Sequence, residues 1–186
     1  MHILLTRPLE DSKELILRFS SLGHNVSHLP VIKTEPIKYD EPDFSQFKGL
    51  IFTSSNAIKN LDLTKVDKKI ECYCVGSATE KVAKLNGFQN IISAEGNVNN
   101  LKELILQNFD SKNGSLLYVS GEVVSSRLDK DLITEGYSLK RLINYTVSST
   151  QEIKEEFRTQ LKASFPDIIY IYSENLSLIH ISSPRD

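Results

Sequence analysis

The sequence predicts an α/β protein with parallel sheets, arranged as two domains of which one is inserted into the other. Three observations carry that expectation. Short β-rich runs alternate with helical stretches along most of the 186 residues, the pattern left by parallel strands joined through helical crossovers. Two stretches recur: Leu4-Leu-Thr-Arg-Pro…Leu22-Gly-His…Pro30-Val is paralleled by Leu117-Tyr-Val-Ser-Gly…Glu135-Gly-Tyr…Asn144-Tyr. Likewise Gly49-Leu-Ile-Phe-Thr-Ser-Ser-Asn-Ala-Ile is paralleled by Ile168-Ile-Tyr-Ile-Tyr-Ser-Glu-Asn-Leu-Ser, as two related domains in one chain would leave behind. Finally, Lys33–Pro42, with Pro36, Pro42 and several charges, and the β-branched, polar Asn144–Thr150 read as an outgoing and a returning connector.

Each element has a local signature. Ile3–Thr6 is an apolar run of strand length. Asp11-Ser-Lys-Glu14 has capping-box spacing for a helix carrying Leu15, Ile16, Phe19 and Leu22 at helical intervals. Gly23 stands where a helix C′ residue belongs, and Val26–Ile32 is the next extended run. Leu50–Ser54 is a strand leading into Ser55-Asn-Ala-Ile. Cys72–Gly76 is a strand feeding a helix with Ser77 as cap, Glu80 as its reciprocal partner, and Ala78, Val82 and Leu85 as the buried stripe, stopped by Gly87. Ile91–Ser93 is a short strand, and Leu101, Leu104, Ile105 and Phe109 mark a further helix. Leu116–Ser120 leads through Gly121 into Val124, Leu128 and Leu132, closed by Gly136. Ile153, Phe157 and Leu161 mark a last helix before the strand Ile168–Tyr172.

The expected domains are therefore residues 1–33 plus 149–186, discontinuous, and an inserted domain of residues 39–143. Asn175 should open a helix, yet the chain runs on as Ser177-Leu-Ile-His-Ile-Ser-Ser-Pro-Arg-Asp186, which resembles a translated sequencing-adapter read-through. The first domain is accordingly expected to be incomplete.

Charge and composition exclude several classes. The 22 basic and 24 acidic residues leave a net charge of -2, which is no footprint for general nucleic-acid or anionic-membrane binding. No apolar run reaches the length of a membrane span, and Met1-His-Ile-Leu-Leu enters a strand-like run without a basic leader segment. A cytoplasmic protein is expected. Cys72 and Cys74, two apart on a strand, read as core packing. His2, His24, His28 and His180 show no metal-ligand spacing, so no metal site is expected. Glycine-rich phosphate loops and the Gly-x-Ser-x-Gly elbow are missing.

Four strand ends carry small hydroxyl, amide or glycine residues ahead of a helix: Thr53-Ser-Ser-Asn56, Gly76-Ser-Ala-Thr79, Ser120-Gly121 and Ser173-Glu-Asn175. Ligands of open α/β sheets bind at the carboxyl ends of strands, where helix N-termini and neutral hydroxyls suit carboxylate or phosphate. Arg7, just after the first strand, adds a cation.

The ordered set Ile3-Leu-Leu-Thr-Arg-Pro, Leu22-Gly-His with Pro30, Leu50-Ile-Phe-Thr-Ser-Ser-Asn-Ala-Ile, Val75-Gly-Ser-Ala-Thr79 with Gly87-Phe88, Tyr118-Val-Ser-Gly-Glu122, Gly136-Tyr137 and Asn144-Tyr-Thr146 resembles the uroporphyrinogen-III synthase family. The resemblance runs from residue 1 to about 178. It implies two flavodoxin-like domains joined by a two-stranded connector, with the active cleft between them. It further implies a lyase of heme and other tetrapyrrole biosynthesis that closes hydroxymethylbilane with loss of water while inverting the last pyrrole ring. No cofactor is implied. A monomer acting on a tetrapyrrole substrate is expected, with hydroxymethylbilane synthase as a transient donor.

Such chemistry asks for positioning and electrostatics more than for strong acid/base groups. By the resemblance, Tyr145 is the catalytic residue that assists departure of the hydroxyl group. Ser54 matches the Thr-Ser motif of the family, Thr79 its Val-Gly-x-x-Thr motif, and Ser173 the corresponding serine of the first domain. Arg7, Thr53, Ser54, Asn56, Ser77, Thr79, Gly121 and Ser173 form the expected substrate-binding set. Asn56 stands where some members carry a basic residue, and a second Gly-x-x-Thr junction is missing. The alternative from another class is a non-catalytic, two-lobed α/β small-anion-binding protein using the same junctions.

Overall fold

The computed structural model describes residues 1–150, 153 and 155–171, the side chain of Asp11 excepted. Two compact units result: Met1–Thr34 with the described residues from Ser148 onward, and Glu35–Val147.

In the smaller unit, the apolar run of β1 (His2–Leu5) is buried along its length. It is the middle strand of a parallel sheet ordered β2-β1-β9, flanked by β2 (Asn25–His28) and β9 (Ile168–Tyr170). Helix α1 (Leu9–Ser21) links β1 to β2, and α6 (Glu155–Ala163) precedes β9. The helix α1 begins earlier than the Asp11–Glu14 spacing predicts. Pro8 takes the N-cap position with no side-chain cap, its locked φ suiting a helix entrance, while the Ser12 hydroxyl donates to the Arg7 carbonyl at 3.3 Å. Gly23, at φ 80, holds the predicted C′ position, where a left-handed backbone favours glycine. The predicted run Val26–Ile32 is broken around Pro30, so β2 ends at His28 and β3 (Ile32–Pro36) starts anew. Tyr172 of the predicted last strand lies outside the described residues.

In the larger unit, strand period decides the layering. The strands are β4 (Phe47–Phe52), β5 (Glu71–Val75), β6 (Asn90–Ala94), β7 (Ser115–Gly121) and β8 (Leu139–Ser149). With β3 at one edge, they form a sheet ordered β3-β8-β7-β4-β5-β6, and the pairs from β8 to β6 are parallel. Leu50, Phe52, Cys72, Cys74, Leu117 and Val119 pack into one core cluster, whereas Ile51, Tyr73, Leu116 and Tyr118 pack into another. Alternate side chains point to opposite faces, so both faces are covered, as parallel sheets require. Helices α2 (Ser55–Lys59) and α3 (Gly76–Leu85) supply Ala57, Ile58 and Ala83 to the first face. Helices α4 (Val98–Asn108) and α5 (Leu128–Thr134) supply Leu101, Ile105, Leu128 and Leu132 to the second.

Two helix starts differ from expectation. Val75 caps α3 without a side-chain bond, so Ser77 is no cap, and the buried residues are Thr79 and Ala83 rather than Ala78 and Leu85. The stripe is rotated by one position because the helix begins at Gly76, directly off the strand. The helix α5 begins only at Leu128, after a loop through residues 122–127 in which Val124 stands. A capping box of Asn97 and Asn100 opens α4. The Cys72 and Cys74 sulfurs lie 3.7 Å apart, both buried on one face of β5, and Cys74 and burial together push the Cys72 thiol upward. Among the described residues no three His, Cys, Asp or Glu side chains could hold a metal ion, and no helix is long and apolar enough to cross a membrane.

Candidate functional site

Counted in chain order, the five parallel strands of the larger unit run 3-2-1-4-5 across the sheet, with β4 and β7 side by side at the point where the order reverses. The chain leaves β4 toward one side and β7 toward the other, which opens a crevice beyond their carboxyl ends. A hollow of about 160 Å³ lies there, lined by Thr53 and Ser54 after β4, Tyr118 of β7, Tyr145 of β8, Val98 at the start of α4, and Val123–Ser126 of the loop. Six of these side chains carry hydroxyls and none is charged. A larger hollow of about 540 Å³ includes Phe47, Glu71 and Asn90, at the amino ends of β4, β5 and β6, the end of a parallel sheet where ligands are not expected.

Strand and helix geometry set each lining group. Ser54 has extended backbone and caps α2, its Oγ accepting from the Asn56 N–H at 3.2 Å. Ile51 and Thr53 share a face of the sheet with Tyr118, and the Thr53 and Tyr118 hydroxyls meet at 3.0 Å. Burial pushes the Tyr118 phenol above its ordinary 10.0, so it stays protonated.

Tyr145 arrives through an irregularity in β8. Ser120 pairs with Ile143 and Gly121 with Tyr145, leaving Asn144 as an extra residue. Leu142 and Tyr145, three apart, consequently pack in one cluster, which unbroken alternation would forbid. Asn144 is fully buried and donates from Nδ2 to the Ala57 carbonyl at 2.8 Å. The bulge thus turns the tyrosine ring against Gly121. A β-carbon on Gly121 would meet that ring at 2.8 Å and its hydroxyl at 3.1 Å.

Arg141 fixes the other wall. Its Nε donates to Ser120 Oγ at 2.8 Å, and its Nη2 to the carbonyls of Gly121 at 2.8 Å and Glu122 at 3.0 Å. The Glu122 N–H donates to the Tyr145 carbonyl at 2.9 Å, and its carboxylate accepts from the Thr146 hydroxyl at 2.9 Å.

Of the residues the sequence nominated, Thr53, Ser54, Gly121 and Tyr145 come together. Asn56, in the first turn of α2, is half-buried and outside the lining. Ser77 is exposed on α3, and Thr79 is buried on the core side of the same helix. Arg7 belongs to the smaller unit, where its carbonyl accepts from His28 Nε2 at 2.7 Å. Ser173 lies outside the described residues. Sequence reasoning missed Tyr118, Ser125 and Ser126. The one signal for Ser125 and Ser126 was the hydroxyl-rich interval between Gly121 and Leu128, absorbed there into the following helix, whereas Tyr118 read only as part of a buried strand.

The family model of uroporphyrinogen-III synthase HemD matches residues 13–176. No curated protein sequence matches the chain. Among solved structures, the fold is similar to uroporphyrinogen-III synthetase from Helicobacter pylori, at 18% identity and TM-score 0.58, covering 91% of this chain and 72% of that one. A mutant uroporphyrinogen III synthase from the extremely thermophilic bacterium Thermus thermophilus matches at 14% identity and TM-score 0.49, covering 81% of this chain and 64% of that one.

Proposed function

Because the chain belongs to the uroporphyrinogen-III synthase family, we propose that the hydroxyl-lined hollow beyond β4 and β7 is where it acts on hydroxymethylbilane. The family consists of lyase-type enzymes of tetrapyrrole biosynthesis. In the reaction, the pyrrole nitrogen lone pair expels the terminal hydroxyl group, which leaves with a proton as water. A ring carbon then attacks the resulting methylene, and the last ring is inverted on closure.

The observation that carries the assignment is Tyr145, which the Asn144 bulge turns into the hollow against Gly121. The phenolic O–H there can donate to the departing hydroxyl. Thr53 and Ser54 are neutral donors for a carboxylate arm, and their low charge suits a reaction steered by orientation. The substrate contacts in this reading are Thr53, Ser54, Gly121 and Tyr145.

The reading extends to architecture and setting. It has two flavodoxin-like domains, residues 39–143 inserted between 1–33 and 149–186. Counting β7 and β8 ahead of β4 turns the strand order into 2-1-3-4-5, the flavodoxin arrangement, which supports it. Neighbouring β3 and β8 support a two-stranded connector. The enzyme is read as a cytoplasmic monomer receiving its reactive substrate by transient transfer from hydroxymethylbilane synthase. Incubation with hydroxymethylbilane, oxidation of the products to porphyrins and chromatographic separation of isomers tests the function. Type III in excess of spontaneous type I is expected, and type I alone refutes it.

A further inference from the structure

Tyr118 sits where a phenylalanine would serve the core equally well. Its ring packs with Ile51, Tyr73 and Leu128, and the residue is 1% exposed. What tyrosine adds is a hydroxyl at the inner wall of the hollow. Among the described residues, that hydroxyl has one hydrogen-bond partner, Thr53 Oγ1 at 3.0 Å. A buried phenol has one proton to place, and a buried donor without an acceptor is costly. Either oxygen of this pair could be the donor by geometry alone. The accounting favours one direction: Tyr118 is 1% exposed, so a phenolic proton not given to Thr53 would have only a sliver of the hollow to reach. The Thr53 hydroxyl, which lines the hollow, can accept from Tyr118 and still have its own proton to give.

We infer that Tyr118 is a positioning residue, which donates to Thr53 and thereby aims the Thr53 proton into the hollow at a carboxylate of the bound ligand. This deepens the function proposed above and rests on it. Tyr118 forms the inner wall of the hollow with 1% of its surface exposed and its hydroxyl on Thr53, so it acts through that side chain and not on the reacting atoms. The pair also explains why an uncharged wall can hold an anion. A hydroxyl whose lone pair is already engaged is a stronger donor, and a donor fixed in direction costs less to align on binding.

A double-substitution cycle reads this directly. Tyr118→Phe, Thr53→Val and the double variant are compared in the full chain, with uroporphyrin III as a fluorescent binding probe and type III product formation as the turnover assay. Tyr118→Phe is expected to weaken probe binding and raise KM about fivefold to tenfold, with kcat changed less than about twofold. In the Thr53→Val background the same change should have no further effect, and Thr53→Ser should restore most of the loss. Effects that multiply independently, or a Tyr118→Phe chain that binds as the unmodified one does, overturn the inference. Carbon-13 NMR of tyrosine-labelled protein needs neither ligand nor turnover: Thr53→Val should move the Tyr118 ring-carbon signal and leave that of Tyr145. A stationary Tyr118 signal also overturns the inference. Type III production with an additive cycle sinks this inference alone. Absent production with a coupled cycle sinks the catalytic reading alone, and an unmodified chain that binds no probe sinks both.

Discussion

Gly121 and Tyr145 are paired across β7 and β8 so closely that no side chain fits between them: a β-carbon at Gly121 would lie 2.8 Å from two carbons of the ring. The backbone of Gly121 is not in the left-handed region, so the requirement is for space alone. Gly121→Ala should therefore fold, at a cost of about 1–3 kcal/mol of overpacking, and should push the ring out of line. Turnover is expected to fall about tenfold or more, checked by isomer chromatography beside a thermal melt. Full activity at unchanged Tm would show that the ring has room to spare.

Asn144 holds the bulge that aims Tyr145. Its amide nitrogen bonds the Ala57 carbonyl, while its Oδ1 is buried without a partner among the described residues. Asn144→Ala removes the unsatisfied Oδ1 but leaves the Ala57 carbonyl without this donor, so a stability loss of about 1–3 kcal/mol is expected. Activity should fall more than stability does, because the neighbouring tyrosine loses its anchor. Denaturant titration and turnover, measured on the same preparation, separate the two effects.

Arg141 bonds the carbonyls of Gly121 and Glu122, where β7 passes into the loop, and the Ser120 hydroxyl. Lysine keeps the charge but not the planar fork. Arg141→Lys is expected to behave like Arg141→Met, each losing about tenfold in turnover. Rescue by lysine would show that charge, and not the shape of the contact, is what matters.

Lys68 gives a prediction in pH. Its Nζ is buried without a hydrogen-bond partner among the described residues and lies 4.7 Å above the Phe88 ring. Burial pulls its pKa below the ordinary 10.5. The folded state thus binds this proton less tightly than the unfolded chain. The penalty is full below the folded pKa and is relieved as the pH rises through 10.5. Lys68→Met should raise Tm at neutral pH, with the gain shrinking in alkaline buffer. A lowered Tm at neutral pH would mean that the contact with Phe88 outweighs desolvation.

Much of this fold was legible in the sequence because strand and helix periods are local. The buried runs of β1, β4, β5 and β7 and the stops at Gly23, Gly87 and Gly136 follow from residue spacing alone. The start of α3 did not, since a helix springing straight from Val75 needs no polar cap, and the stripe shifted with it. Nor did Asn144 read as a bulge, because an extra residue shows itself only against the partner strand. The lining of the hollow was legible where it follows a strand end, at Thr53 and Ser54. Tyr118 reached it only through pairing of β4 with β7, a contact between residues 65 apart, which no local pattern encodes.

The rate of type III product formed by Tyr145→Phe, beside the unmodified chain, bears most directly on the whole account. Loss of the phenolic proton should slow type III formation by about a hundredfold, leave Tm unchanged, and let spontaneous type I product accumulate. Type III formation at the unmodified rate would contradict the assignment of the hollow around Tyr145 as the reactive site.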